Sequence, residues 1–195
     1  MFSVINPATE EVVATIPWGG AAEANAAVSA AEAARIGWAN TNPWQRADLL
    51  KKVADLMRLR ARELAAVTTS ESGKPLAEAT GEWTVAAQFF EWYAEEGKRA
   101  TGRTLPASRN NKRMSVVTRP VGVVGVITAW NFPVWNLARV WAAALAAGCP
   151  IVAKPSEYTP LTAIRLHELL LEAGIPAGVA QLVTGDAEAI GQVLL

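Results

Sequence analysis

The chain has 195 residues, 51% of them hydrophobic and 18% charged, which suffices for one sizeable domain with a core of its own. Its 18 Lys and Arg balance 18 Asp and Glu, so no global field draws it onto phosphate backbones or acidic lipid, and neither nucleic acid nor a membrane is expected as a partner. The single cysteine, Cys149, excludes an intramolecular disulfide; the opening Met1 to Pro7 has no basic start or long apolar run, and together they predict a reducing, cytoplasmic setting. Arg139 interrupts the most apolar stretch, Trp130 to Ala153, before the ~18 unbroken apolar residues of a membrane helix are reached.

In chain order, Asn6-Pro7-Ala8-Thr9-Glu10 is turn chemistry, and Val12 to Ile16 reads as a short strand. Ala21 to Ala39 is Ala-rich, with Ala27, Val28, Ala31 and Ala34 at helical spacing. Pro43 to Thr69 places Leu49, Leu50, Val53, Leu56, Met57, Leu64 and Val67 on one face, predicting one long helix that Gly73 terminates. Leu76 to Lys98 is a third helix, with Trp83, Ala86, Ala87, Phe90 and Tyr93 recurring at three- and four-residue intervals. Between Thr101 and Arg119 the composition turns to Gly, Pro, Ser, Asn and Arg, with alternating Met114, Val116 and Thr118, which suggests an extended excursion.

From Val121 the pattern alternates between apolar run and helix: Val121 to Ile127, Pro133 to Ala147, Pro150 to Lys154, Pro160 to Ala173, Val179 to Thr184, Ala187 to Leu195. Short apolar runs bounded by Gly and Pro, each followed by a helix, are what buried parallel strands and crossover helices require, so an open α/β sheet is expected. Ligands of such sheets bind beyond the C-terminal strand ends, which puts the loops 128–133, 154–159 and 185–188 on one rim. The first loop lacks the Gly-x-Gly-x-x-Gly fingerprint, because Gly122 and Gly125 precede the turn Trp130-Asn131-Phe132-Pro133. Spacing alone therefore gives dinucleotide binding only weak support.

Four strings add to this: Ile127-Thr128-Ala129-Trp130-Asn131-Phe132-Pro133, Ala146-Ala147-Gly148-Cys149, the run from Lys154-Pro155-Ser156-Glu157 to Ala163, and Glu172-Ala173-Gly174-Ile175-Pro176-Ala177-Gly178-Val179. In order and spacing they resemble the aldehyde dehydrogenase superfamily, most closely its succinate-semialdehyde dehydrogenase branch. Upstream, Glu71-Ser72-Gly73-Lys74-Pro75 and Asn6-Pro7-Ala8-Thr9 extend the resemblance over essentially the whole chain. It implies a partial Rossmann-like open parallel sheet: residues 1–100 as the N-terminal part of a cofactor-binding domain, 101–120 as an oligomerisation arm, and 121–195 as its Rossmann-like part. It further implies NAD, with NADP possible, as cofactor, a small aldehyde as substrate of the complete enzyme, a homo-oligomer, and no metal.

In that family a cysteine thiolate attacks the aldehyde, hydride passes to the nicotinamide, and water releases the acid. The resemblance assigns Asn131 to the oxyanion and, with Thr128 and Trp130, to cofactor binding, Lys154, Ser156 and Glu157 to the adenosine ribose, Gly185 to the adenosine, and Trp130 and Phe132 to the walls of the cofactor and substrate channels. Each has a structural alternative. Asn131 also suits a turn before Pro133, Lys154 and Glu157 a solvated ion pair at a helix start, Gly185 a helix-start glycine, and the aromatics a core. Cys149 reads as a buried packing residue and His167 as a surface or packing residue. Where the family commonly has Pro, Lys and Pro, this chain has Ala129, Val140 and Ala143; Arg139 lies about 100° away on the helix and does not replace that lysine. The chain is expected to stop before the family's nicotinamide-side loop, general-base glutamate and catalytic cysteine, and to be inactive alone. A non-catalytic nucleotide-binding or oligomerisation module, or one chain of a split enzyme, are the other readings.

Overall fold

The computed structural model describes residues 1–195. It opens with a hairpin of β1 (Phe2–Ile5) and β2 (Val12–Ile16), closed by the Asn6–Glu10 turn, in which the Asn6 Oδ1 accepts from the Ala8 N–H at 2.9 Å. The sequence reading placed β2 and missed β1, whose four residues bury only Val4 and so carry almost no periodicity.

Four helices follow: α1 (Ala21–Asn40), α2 (Pro43–Leu59), α3 (Ala61–Ser72) and α4 (Leu76–Gly97). The single helix expected over 43–69 is two, because Arg60 leaves helical geometry at φ −107°, ψ 14°. Its guanidinium holds both Glu172 carboxylate oxygens, at 2.7 and 2.8 Å. Met57 and Leu64 are both buried across this break, so the apolar stripe continues and gives no sign of it. Gly73, in the left-handed region at φ 71°, ends α3 as expected.

The excursion after α4 is the antiparallel ribbon β3 (Arg103–Leu105) and β4 (Met114–Val116). The remaining elements are β5 (Val124–Ile127), α5 (Pro133–Ala146), β6 (Ile151–Lys154), α6 (Pro160–Ala173), β7 (Ala180–Leu182) and α7 (Ala187–Leu194). Their bounds fall within a few residues of expectation, and the strands pair in parallel in the order β5-β6-β7. This confirms the partial open α/β sheet.

Burial on β6 follows strand alternation. Ile151 and Ala153 join the large core built with α2 to α6, around Trp83, Trp141, Phe90, Leu50 and Met57. Val152 faces the other way, onto Ala24, Ala27, Ala31 and Ile190 of α1 and α7. The sheet is thus sandwiched between helices, and its C-terminal edges emerge on one rim. No helix is long and apolar enough to cross a membrane.

Candidate functional site

The rim is built where β5 and β6 run out side by side. The Thr128 N–H donates to the Lys154 carbonyl at 3.2 Å, which carries the strand pairing to the first residue of the loop. Lys154 is buried at 3% exposure, and its Nζ donates to the Glu157 Oε2 at 3.0 Å. Glu157 is half-buried; its own backbone N–H, and then Lys154, hold its carboxyl below the usual range, so it is ionised at neutral pH. The buried Ser156 hydroxyl accepts from the Tyr158 N–H at 3.3 Å and shapes this loop. The Lys154 Nζ has no other hydrogen-bond partner, which leaves two of its three N–H groups unpaired.

A cleft of about 590 Å³ opens beside this pair. Glu157, Tyr158 and Thr159 line it from the β6 side, Trp130 from the β5 side, and Phe2 and Ile5 from β1. Trp130 and Phe132 are both exposed, so neither is a core aromatic. The Asn131 side chain is exposed and makes no hydrogen bond within the protein; only its main-chain carbonyl is bound, by the Lys74 Nζ at 3.0 Å. Asn6 and Asn42 form turns by accepting backbone N–H bonds on Oδ1, at 2.9 Å each, and Asn131 does nothing of the kind. Its amide is left as a free donor on the rim.

Gly185 is placed differently. The N-terminal segment lies against it: the Gly19 N–H donates to the Thr184 carbonyl at 2.8 Å, and the Asp186 N–H to the Gly19 carbonyl at 3.0 Å. A Cβ on Gly185 would stand 2.0 Å from the Gly19 carbonyl oxygen, and φ is +145°. This close backbone approach requires a glycine here. Cys149 is buried at 2% exposure, and the His167 Nε2 is 3.0 Å from the Ala180 carbonyl, tying α6 to β7; both are packing residues. Val140 packs against the core and Arg139 is exposed, with neither in an ion pair.

Two buried glutamates escaped the sequence reading. Glu82 on α4 accepts on one oxygen from the Val134 and Trp135 N–H groups, at 2.9 and 3.1 Å, and so caps α5. Glu71 on α3 does the same for α6, accepting from Leu161 at 2.6 Å and Thr162 at 2.7 Å. The first residues of α5 and α6 are proline, and neither helix has a side-chain cap of its own. Asp186 caps α7 through Glu188 and Ala189. Each helix that follows a strand of this sheet therefore has a carboxylate of the protein at its N-terminus. These three helix ends are thus already occupied, and the Lys154–Glu157 pair is the polar feature of the rim that suits a diol.

Burial pushes the Glu71 carboxyl up from 4.5 to about 7, against the Thr162 hydroxyl and the two backbone donors, which pull it down. A raised folded-state value means that the stability from this proton is fully present below about 4.5 and lost as pH rises through about 7. Urea unfolding between about pH 5 and about pH 8 is therefore expected to show a loss of about 2 kcal/mol that Glu71→Gln does not share. A loss of equal size in both proteins would contradict this.

Comparison with known proteins then places the chain. The sequence profile of the aldehyde dehydrogenase family matches residues 1–195. The succinate-semialdehyde dehydrogenase [NADP(+)] of Escherichia coli (strain K12) is 46% identical over 191 residues, which are 98% of this chain and 40% of that protein. The 3-sulfolactaldehyde dehydrogenase of Pseudomonas putida is 48% identical over 193 residues, 99% of this chain and 40% of that one. The crystal structure of succinate-semialdehyde dehydrogenase from Burkholderia pseudomallei superposes with a TM-score of 0.97 at 49% identity, covering 99% of this chain and 40% of that one. The chain spans about two-fifths of the length of these relatives.

Proposed function

The chain belongs to the aldehyde dehydrogenase family, and from that premise we propose that residues 1–195 supply the ribose-binding and oxyanion-stabilising side of an enzyme that oxidises an aldehyde to its acid with NAD(P). The observation that carries this reading is the free Asn131 amide standing on the same rim as the Lys154–Glu157 pair. NAD(P) would supply the hydride acceptor.

This chain's own residues do the rest of what can be assigned. The Glu157 carboxylate accepts from ribose hydroxyls, and the buried Lys154 ammonium fixes that carboxylate and donates to the same sugar. Thr128 and Trp130 wall the approach. Asn131 donates its amide to the aldehyde oxygen as negative charge develops there. Gly185 keeps its place beside the adenosine in this reading, and its packing on Gly19 shapes the 184–186 loop. Residues 1–100 and 121–195 belong to one cofactor-binding unit in this reading, and the ribbon at 101–120 is its oligomerisation arm toward further copies.

No nucleophile is assigned within these residues, since Cys149 is buried. A polypeptide of residues 1–195 alone is accordingly expected to form no acid from an aldehyde, and aldehyde-dependent NADH production by it would contradict the assignment.

Glu157 also sets the cofactor choice. An ionised carboxylate accepts from a diol, whereas a 2′-phosphate brings like charge and removes one donor. The Lys154 partner offsets part of that repulsion, so the result is preference and not exclusion. In the complete enzyme, kcat/KM is expected to favour NAD by about tenfold, equivalent to about 1.4 kcal/mol, and Glu157→Ala to bring the ratio toward parity. The Escherichia coli relative is described as NADP(+)-dependent; the preference proposed here rests on Glu157 and not on that likeness. An NADP preference, or a ratio unmoved by Glu157→Ala, would remove Glu157 from the ribose.

A further inference from the structure

The Trp130-Asn131-Phe132 turn is held from outside itself. The Asn131 side chain bonds to nothing in the protein, and Phe132 at the N-cap of α5 has no group with which to cap it. The holding groups come from α4 and from the loop before it. The Lys74 Nζ donates to the Asn131 carbonyl at 3.0 Å, stands 4.3 Å from the centre of the Phe132 ring, and is ion-paired with the Glu82 Oε2. The other Glu82 oxygen takes the N–H groups of Val134 and Trp135. One lysine thus grips residues 131 and 132, and its carboxylate partner grips 134 and 135, on either side of Pro133.

Both side chains are enclosed, at 13% and 2% exposure, so the grip is not a fluctuating surface pair. The route of the chain aims the lysine. Gly73 closes α3 in the left-handed conformation, the Lys74 N–H donates to the Ser72 hydroxyl at 3.2 Å, and Pro75 restricts the backbone before α4 begins.

We infer that Lys74, fixed by Glu82, is a positioning residue for Asn131: it sets the height and tilt of the turn so that the free amide meets the aldehyde oxygen. This rests on the assignment of Asn131 to the oxyanion. A purely structural ion pair would lower stability when broken and leave catalysis by the folded fraction intact. A positioning pair would lower the chemical rate and do so only through Asn131.

The test is a double-mutant cycle in the complete enzyme that carries these residues, read as the single-turnover rate of NADH formation with cofactor KM measured in parallel. Lys74→Met is expected to slow that rate by about 10- to 100-fold, with the cofactor KM within about twofold, because a misplacement of about 1 Å is enough for such a loss. Lys74→Arg, which keeps the charge for Glu82 and a donor long enough to reach the Asn131 carbonyl, is expected to recover most of the rate. Lys74→Met combined with Asn131→Ala is expected to be no slower than Asn131→Ala alone. Additive losses overturn the inference while leaving Asn131 in its role, as does a full rate in Lys74→Met. A normal rate in Asn131→Ala alone overturns both. Should Lys74→Met fail to fold, the same cycle run with Glu82→Gln, which releases Lys74 while keeping an acceptor oxygen for the Val134 and Trp135 N–H groups, decides, additivity again counting against the inference.

Discussion

Asn131→Ala in the complete enzyme is expected to slow attack on the aldehyde by about 100- to 1,000-fold, or about 3–4 kcal/mol of barrier, with cofactor affinity nearly unchanged. The size follows from the kind of interaction. A side-chain amide fixed in place before the reaction costs no reorganisation when charge builds on the carbonyl oxygen, and its contribution is larger in the transition state than in the ground state. Two features of the structure bear on this. The amide is uncommitted, and the backbone behind it is anchored through the Asn131 carbonyl to Lys74. Rapid-quench or burst measurements with saturating aldehyde isolate the step. Asn131→Asp, which exchanges the donor for a negative acceptor of the same shape, should be at least as slow as the alanine variant. Normal burst rates would return Asn131 to the role of a turn residue.

Glu82→Ala is expected to cost about 3–5 kcal/mol of folding stability, a large part of what a domain of this size holds in reserve. Three groups lose their partner at once. The Val134 N–H, which is buried, and the partly buried Trp135 N–H lose their acceptor at the start of α5. The Lys74 ammonium, with its side chain 13% exposed, loses its counter-charge. Leaving buried donors unmet is what makes such a deletion costly, whereas a surface ion pair would be missed by under about 1 kcal/mol. Glu82→Gln keeps one acceptor oxygen and should lose less. Urea titration of the three proteins measures this, and a loss below about 1 kcal/mol in Glu82→Ala would show that the cap is dispensable.

The sheet half of the fold is legible in the sequence because Gly and Pro punctuate it. Pro133 and Pro160 open helices as the first helical residue, Gly148 and Gly174 sit in left-handed turns, and the apolar runs between them are short enough to be strands. Lys154 and Glu157 are legible as a pair because they lie three residues apart. The clamps are not legible in the same way. Glu71 meets α6 across 90 and 91 residues of sequence, and Glu82 meets α5 across 52 and 53, so no local pattern joins the partners. One signal does mark them. Glu71 follows Leu64, Ala65 and Thr68 on the buried stripe of α3, and Glu82 falls among Ala79, Trp83 and Ala86 on that of α4. A carboxylate on an apolar stripe must find donors inside the protein, and proline-led helices lacking a capping side chain were the donors in need. The break at Arg60 and the strand Phe2–Ile5 left no comparable trace, since the first preserves the stripe and the second buries one side chain. Gly185 carries a requirement that the sequence does not display, since only the contact with Gly19, distant along the chain, reveals the backbone it accommodates.

The most direct test of the proposed role is a crystal structure of the complete enzyme with its dinucleotide bound. The Glu157 carboxylate and the Lys154 ammonium are expected within hydrogen-bonding distance, about 3 Å, of the adenosine ribose hydroxyls, the cofactor phosphates away from the N-termini of α5, α6 and α7, and the Asn131 amide still free of protein partners on the aldehyde side. A ribose bound away from the end of β6, or phosphates seated on a helix end that Glu71, Glu82 or Asp186 has vacated, would contradict the account.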